Sequence, residues 1–157
     1  MEKNDKAVRV FDSLESIWNG LGETIGPGPW LTIEQDRIDR FAEVTGDRQW
    51  IHCDRERAVS GPYGTTIAHG YLTLSLLPNL AAGLYTVSVG SARVNYGSNK
   101  VRYPTPVRVG QRIRASATPL ECRTAKAGTF LTVRFEVEVE GSDKPAVVAE
   151  TVTLIVA

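Results

Sequence analysis

The sequence predicts an α+β fold in which an antiparallel sheet wraps around one long, central, buried helix. Three observations predict it. Helical spacing of apolar residues is confined to the first half of the chain. Residues 68–84 are apolar nearly all round, as in a helix covered on most sides. From about residue 93 the pattern changes to strict alternation, the mark of half-buried antiparallel strands. With 157 residues, the chain has the length of one domain (1–157) that can bury a sizeable core.

Val8, Phe11, Leu14, Ile17 and Trp18 lie three or four apart, predicting a short amphipathic helix over 8–19 within an N-terminal helical extension, residues 1–24. Gly20, Gly22 and the run Gly26-Pro27-Gly28-Pro29 then interrupt regular structure. Thr32 followed three residues later by Gln35 has the form of a capping box. Ile38, Phe41 and Ala42 make the inward stripe of the next helix, and Gly46 stands where a helix-ending glycine belongs. Pro78 should kink the apolar helix or end its first part. Ile113, Ala115 and Ala117 alternate with Arg112, Arg114 and Ser116. Val133, Phe135, Val137 and Val139 alternate with Arg134, Glu136, Glu138 and Glu140. Residues 146–156 form a further strand, paired with 129–140 across the turn at 141–145.

Composition narrows the function. Eighteen basic and eighteen acidic residues cancel, and no basic block or aromatic-basic interleaving points to nucleic acid. No apolar run approaches the ~18 residues that a membrane span needs. The charged N-terminus lacks the apolar stretch of a secretion signal, so the expected location is cytoplasmic. Cys53 and Cys122 are too few for a disulfide framework. A zinc site from His52, Cys53, His69 and Cys122 would need adjacent ligands and lacks any ligand spacing. No metal is expected, and two inert thiols are the simpler account.

Both histidines of the chain fall in one segment: Gly46-Asp47-Arg48-Gln49-Trp50-Ile51-His52, then Ala68-His69-Gly70. Histidine changes charge near neutrality, and a carboxylate nearby suggests proton transfer. A spacing of five places Asp47 and His52 on one face of neither a helix nor a strand, so their cooperation requires an irregular loop. Read from the residues alone, a loop aspartate and a hydrogen-bonded core histidine remain open alternatives.

Phe41-Ala42-x-x-Thr45-Gly46-Asp47-x-x-x-Ile51-His52-x-Asp54, with Ile67-Ala68-His69-Gly70, resembles the signature of the MaoC-like, or R-specific, enoyl-CoA hydratases. Asn95-Tyr96-Gly97, Lys100-Val101-Arg102-Tyr103 and Pro106-Val107-x-x-Gly110 extend the resemblance over roughly residues 25–155. It implies a single hotdog domain, and hydration of a trans-2-enoyl-CoA to an (R)-3-hydroxyacyl-CoA, reversibly. Asp47 and His52 would hold the water and divide the proton transfers, without metal or cofactor. Gly70, at the start of the buried helix, would offer its N–H to the thioester oxygen; its alternative role is tight packing.

His69 would orient the loop without transferring protons. Gln49 and Trp50 replace the common Asn-Pro, as in a branch that includes nodulation-protein-N-like relatives, and Trp50 would line or narrow the acyl channel. Tyr71, with residues 71–77, would add apolar surface, and Asn95, Tyr96 and Gly97 would lie near the tunnel. Pro78 stands where some relatives carry a serine. The resemblance further implies a homodimer. The alternatives are a dehydratase acting on acyl-carrier-protein thioesters, a hotdog thioesterase and a non-catalytic acyl-thioester-binding module.

Overall fold

A computed structural model describes residues 7–157, so the first six residues of the expected extension lie outside the described residues. Strands β1 (Arg9–Phe11) and β3 (Tyr85–Val87) make a short parallel pair. The remaining strands are β2 (Leu31–Thr32), β4 (Ala92–Arg102), β5 (Arg112–Ala125), β6 (Gly128–Val139) and β7 (Val147–Val156). They form one antiparallel sheet in the order β2-β5-β6-β7-β4.

Alternation sets which face of this sheet is buried. Val133, Phe135, Val137 and Val139 of β6 and Ile113, Ala115 and Ala117 of β5 point inward. Arg114 faces Glu138 across the β5–β6 ladder and pairs with it at 2.8 Å, and Arg112 pairs with Glu140 in the same way. Such part-exposed pairs contribute little; the apolar face carries the stability. Register shifts at Pro119/Glu121, Asn95/Gly97 and Ser98/Lys100 bend the strands. Bulges of this kind sharpen twist and let a sheet curl.

The sheet curls around helices α5 (Gly70–Ser75) and α6 (Leu77–Ala82). The single helix expected over 68–84 is divided because Pro78 has no N–H to offer the Leu74 carbonyl. Ladder bonds survive on either side of the break, from Leu76 N–H to Leu72 O and from Leu80 N–H to Leu76 O. Leu72, Leu76, Leu77, Leu80 and Leu84 are buried with Phe135, Val137, Val147 and Ala149 of the sheet in one core. An antiparallel sheet curled around a central helix is the hotdog fold.

Two local expectations are corrected. Helix α1 spans only Leu14–Asn19, capped by a reciprocal Ser13–Ser16 box, while Arg9–Phe11 is strand. Pairing with β3, which leaves Phe11 fully buried, outweighs the helical spacing. Thr32 does not cap a helix but pairs with Arg112 in β2; helix α2 (Gln35–Thr45) begins after Glu34 without a side-chain cap. Gly46 ends α2 as expected, at φ 78°, with its N–H on Ala42 O. Helices α3 (Trp50–Cys53) and α4 (Arg55–Val59) follow. No helix among the described residues is long and apolar enough to cross a membrane.

Ile113 sits fully buried where the sheet meets the helices. Ile113→Ala should lower unfolding free energy by about 2–5 kcal/mol, the usual cost of truncating a buried isoleucine. Urea denaturation would measure it, and a loss below ~1 kcal/mol would show that the core collapses onto the gap.

Candidate active site

The left-handed turn at Gly46 releases Asp47 into solvent at the end of α2. Thr45 Oγ1 accepts from the Asp47 N–H at 3.4 Å, and the Asp47 carboxylate accepts from the Gln49 N–H at 3.4 Å. The loop then winds into α3, whose His52 is buried.

A buried polar hub fixes that turn. The Gln35 side-chain amide donates to His52 O at 2.7 Å and to Asp39 Oδ1 at 2.8 Å, while its oxygen accepts from Thr66 Oγ1 at 2.5 Å. Gln35 and Thr66 were not legible as site residues. Gln35 looked like the helix-facing half of a capping box, and nothing in the sequence pairs it with a residue thirty-one positions on. Segment 66–68 is strapped on both sides, by Ile67 N–H to Ile51 O, Ala68 N–H to Val107 O and Val109 N–H to Thr66 O. Those bonds deliver His69 and Gly70 beside His52.

The structure brings Asp47, His52 and His69 together, with one candidate ligand atom from each lying within 4.8 Å of the others. The two imidazoles stack, their centroids 3.7 Å apart and their planes inclined by 25°. Phe41 also packs on His69, at 5.0 Å between centroids and a tilt of 54°.

Hydrogen bonds assign both tautomers, because a carbonyl can only accept. His52 Nδ1–H donates to Ile67 O at 2.7 Å, leaving Nε2 bare in the neutral ring. His69 Nε2–H donates to Asp47 O at 2.9 Å, leaving a buried Nδ1 with no partner among the described residues. The site thus offers acceptors from all three residues. Planes inclined by only 25° at this separation do not meet within the ~2 Å reach of a metal–nitrogen bond. The arrangement suits a water molecule better than a cation.

Burial pushes the His52 pKa below its ordinary 6.5, the Ile67 carbonyl bond opposes this, His69 pushes the same way as burial, and Asp47 opposes it. His52 is therefore held neutral at pH 7.

Gly70 opens α5 directly after His69, and its N–H lies ahead of the first intrahelical bond, Thr73 N–H to His69 O. A Cβ there would come within 3.1 Å of the Tyr103 ring, so both close packing and backbone access favour glycine. Tyr71 is exposed and meets Tyr103 edge to face. Gln49 is exposed, and Trp50 packs under the Arg57 guanidinium, 4.3 Å from its ring, and against Gly61.

The β4 residues fall elsewhere. Asn95 lines a groove of about 530 Å³ between α5–α6 and strands β4 and β7, together with Leu74, Pro78 and Phe135. Tyr96 and Gly97 line a different groove, with Phe130 and Arg123. Within this chain they are not gathered with Asp47 and His52. Both cysteines are free and only partly buried.

The MaoC-like domain family matches residues 18–144. The chain is 49% identical over 151 residues to the 3-hydroxyacyl-thioester dehydratase Z of Mycobacterium tuberculosis, covering 96% of this chain and 100% of that one. It is 38% identical to the nodulation protein N of Rhizobium leguminosarum, covering 91% of each. A solved structure of an Archaeoglobus monoamine oxidase regulatory protein superposes with a TM-score of 0.76 at 28% identity, covering 95% of this chain and 97% of that one. The chain belongs to the MaoC-like dehydratase family, a family of hydro-lyases.

A histidine whose pKa is lower folded than unfolded stabilises the fold fully above the unfolded value, and the stabilisation is lost as pH falls. Urea midpoints should therefore drop as pH falls from about 6.5 through the folded pKa of His52. His52→Gln should flatten that dependence; an equal slope in both proteins would assign it to other groups.

Proposed function

We propose that the protein is an (R)-specific enoyl-CoA hydratase that adds water to trans-2-enoyl-CoA to give (R)-3-hydroxyacyl-CoA, and reverses the reaction as a 3-hydroxyacyl-thioester dehydratase. The observation that carries this reading is the meeting of Asp47 and neutral His52 at the start of the central helix, beside a free backbone N–H at Gly70. The dehydratase relatives support it.

In this reading, one water molecule donates its two hydrogens to the Asp47 carboxylate and to bare His52 Nε2. Its oxygen bonds to C3 as His52 takes the first proton. The electron pair moves to the thioester oxygen, where the Gly70 N–H stabilises the developing charge. Protonated His52, or Asp47 after exchange, returns a proton to C2, completing the addition of one water. The unsaturated thioester is already activated, so the scheme uses no cofactor.

His69 positions Asp47 through the loop carbonyl. In this scheme Trp50 and Tyr71 would flank the entrance, and the acyl chain would run from Gly70 along α5 and α6 toward the groove that Asn95 lines. Partly buried free thiols agree with a reducing, cytoplasmic setting.

Asp47→Asn and His52→Gln should each lower hydration by roughly 10²–10⁴-fold with the fold retained, the scale for losing a positioned acid or base. Loss of absorbance of the enoyl thioester would follow it, with CoA and acyl-carrier-protein substrates run in parallel to identify the carrier. Near-normal turnover by either folded variant would remove that residue from the scheme. Release of free thiol from acyl-CoA would point instead to a thioesterase.

We also propose a homodimer. Edge strand β4 is eleven residues long and exposed along nearly all of its length, with Val94 and Tyr96 open to solvent. Unpaired edges of this length are ordinarily covered, and two-fold pairing of like surfaces is the commonest solution. Sedimentation should give twice the chain mass, and a fully active monomer would contradict it.

A further inference from the structure

The groove along α5 and α6 is not uniformly apolar. Its near wall is made by Leu74, Leu77, Pro78 and Ala81 of the helices and Phe135 of β6. Its other wall carries Arg93, Asn95 and Ser98 of β4 with Thr151 and Thr153 of β7. Tyr85, immediately after the helices, also lines it. Among the described residues, no acidic side chain lines this groove.

Two of these groups are donors with no protein partner among the described residues. Arg93 makes no ion pair or hydrogen bond among the described residues, whereas Arg112 and Arg114 both hold glutamates. The Tyr85 hydroxyl likewise makes no hydrogen bond among the described residues, and burial pushes its pKa up to about 12, so it stays a donor.

Topology places both at the end of the groove remote from the reacting atoms. Tyr103, just beyond the end of β4, packs on Gly70, whereas Arg93 stands at the start of that strand. Tyr85 follows the last turn of α6, and Gly70 opens α5. The helical rise puts Leu77 to Ala81 about 10–16 Å along the axis from Gly70. At about 1.25 Å per methylene of an extended chain, that is the reach of roughly eight to twelve carbons.

We propose that the far end of this groove is a subsite for a carboxylate at the ω-end of the acyl chain, held by Arg93 and Tyr85 with Asn95 beside them. The preferred substrate class is then the medium-chain ω-carboxyacyl thioester rather than the plain fatty acyl thioester. The apolar helix wall takes the methylenes, and the guanidinium takes the terminal anion, for which it is the best-suited side chain. This inference rests on the hydratase reading for its orientation of the chain.

The test compares trans-2-decenoyl-CoA with its ω-carboxy analogue of equal length. The native protein should favour the ω-carboxy substrate about tenfold in kcat/KM, the scale of one charge-assisted hydrogen bond. Arg93→Gln should bring the ratio near one, Arg93→Lys should keep part of it, and Tyr85→Phe should lower it a few-fold. Taking a ratio cancels any general loss of fold. A native preference for the plain substrate, or a ratio indifferent to Arg93→Gln, would overturn the subsite.

Should neither thioester be hydrated, calorimetric binding of saturated decanedioyl-CoA against decanoyl-CoA decides. A preference dependent on Arg93 would uphold the subsite while refuting the hydratase, and no preference would refute the subsite itself.

Discussion

Everything in this molecule depends on covering a helix that is apolar on nearly all sides. The leucines at 72, 76, 77, 80 and 84 cannot be satisfied by one flat layer, because they face in several directions around the axis. The sheet answers by curling, and its bulges at Pro119/Glu121 and along β4 supply the bend. Once the helix is enclosed, its first turn becomes a fixed point. His69 and Gly70 stand there because the preceding segment is strapped to Ile51 and Val107.

The site is built on that fixed point by buried polar contacts rather than by surface charge. Gln35 holds the His52 and Thr66 backbone segments together, and each histidine is oriented by one carbonyl. A buried amide that is fully engaged makes a stiff connection, since breaking any one bond leaves an unsatisfied group. His69, stacked on His52, adds to the lowering of the His52 pKa that burial begins. A neutral ring with one nitrogen committed to a carbonyl has its other nitrogen free to accept a proton.

The same enclosure creates the groove. Where the helices leave β4 and β7, the sheet's inner face turns from valine and phenylalanine to threonine, serine, asparagine and arginine. The ω-carboxylate subsite proposed above rests on that polar wall. The exposure of β4 bears on assembly for a related reason, since backbone donors and acceptors at an edge seek a partner as side chains do.

Much of this was legible in the sequence. Period two in Val133, Phe135, Val137 and Val139 defined strand and inward face together, because alternation is a property of the backbone itself. The all-round apolar stretch announced a covered helix, and Gly46 marked the release of Asp47. The spacing of five between Asp47 and His52 already required a loop. Tertiary structure decided what local pattern could not. It turned Arg9–Phe11 into strand and took Gln35 from cap to hub, because burial and long-range pairing outweigh local propensity. The stacking of His52 on His69, the tautomers assigned by Ile67 and Asp47, and the closing of one groove between Leu74 and Thr153 all join residues far apart in the chain. Their contacts exist only once the sheet has closed around the helix, and no spacing along the sequence encodes that closure.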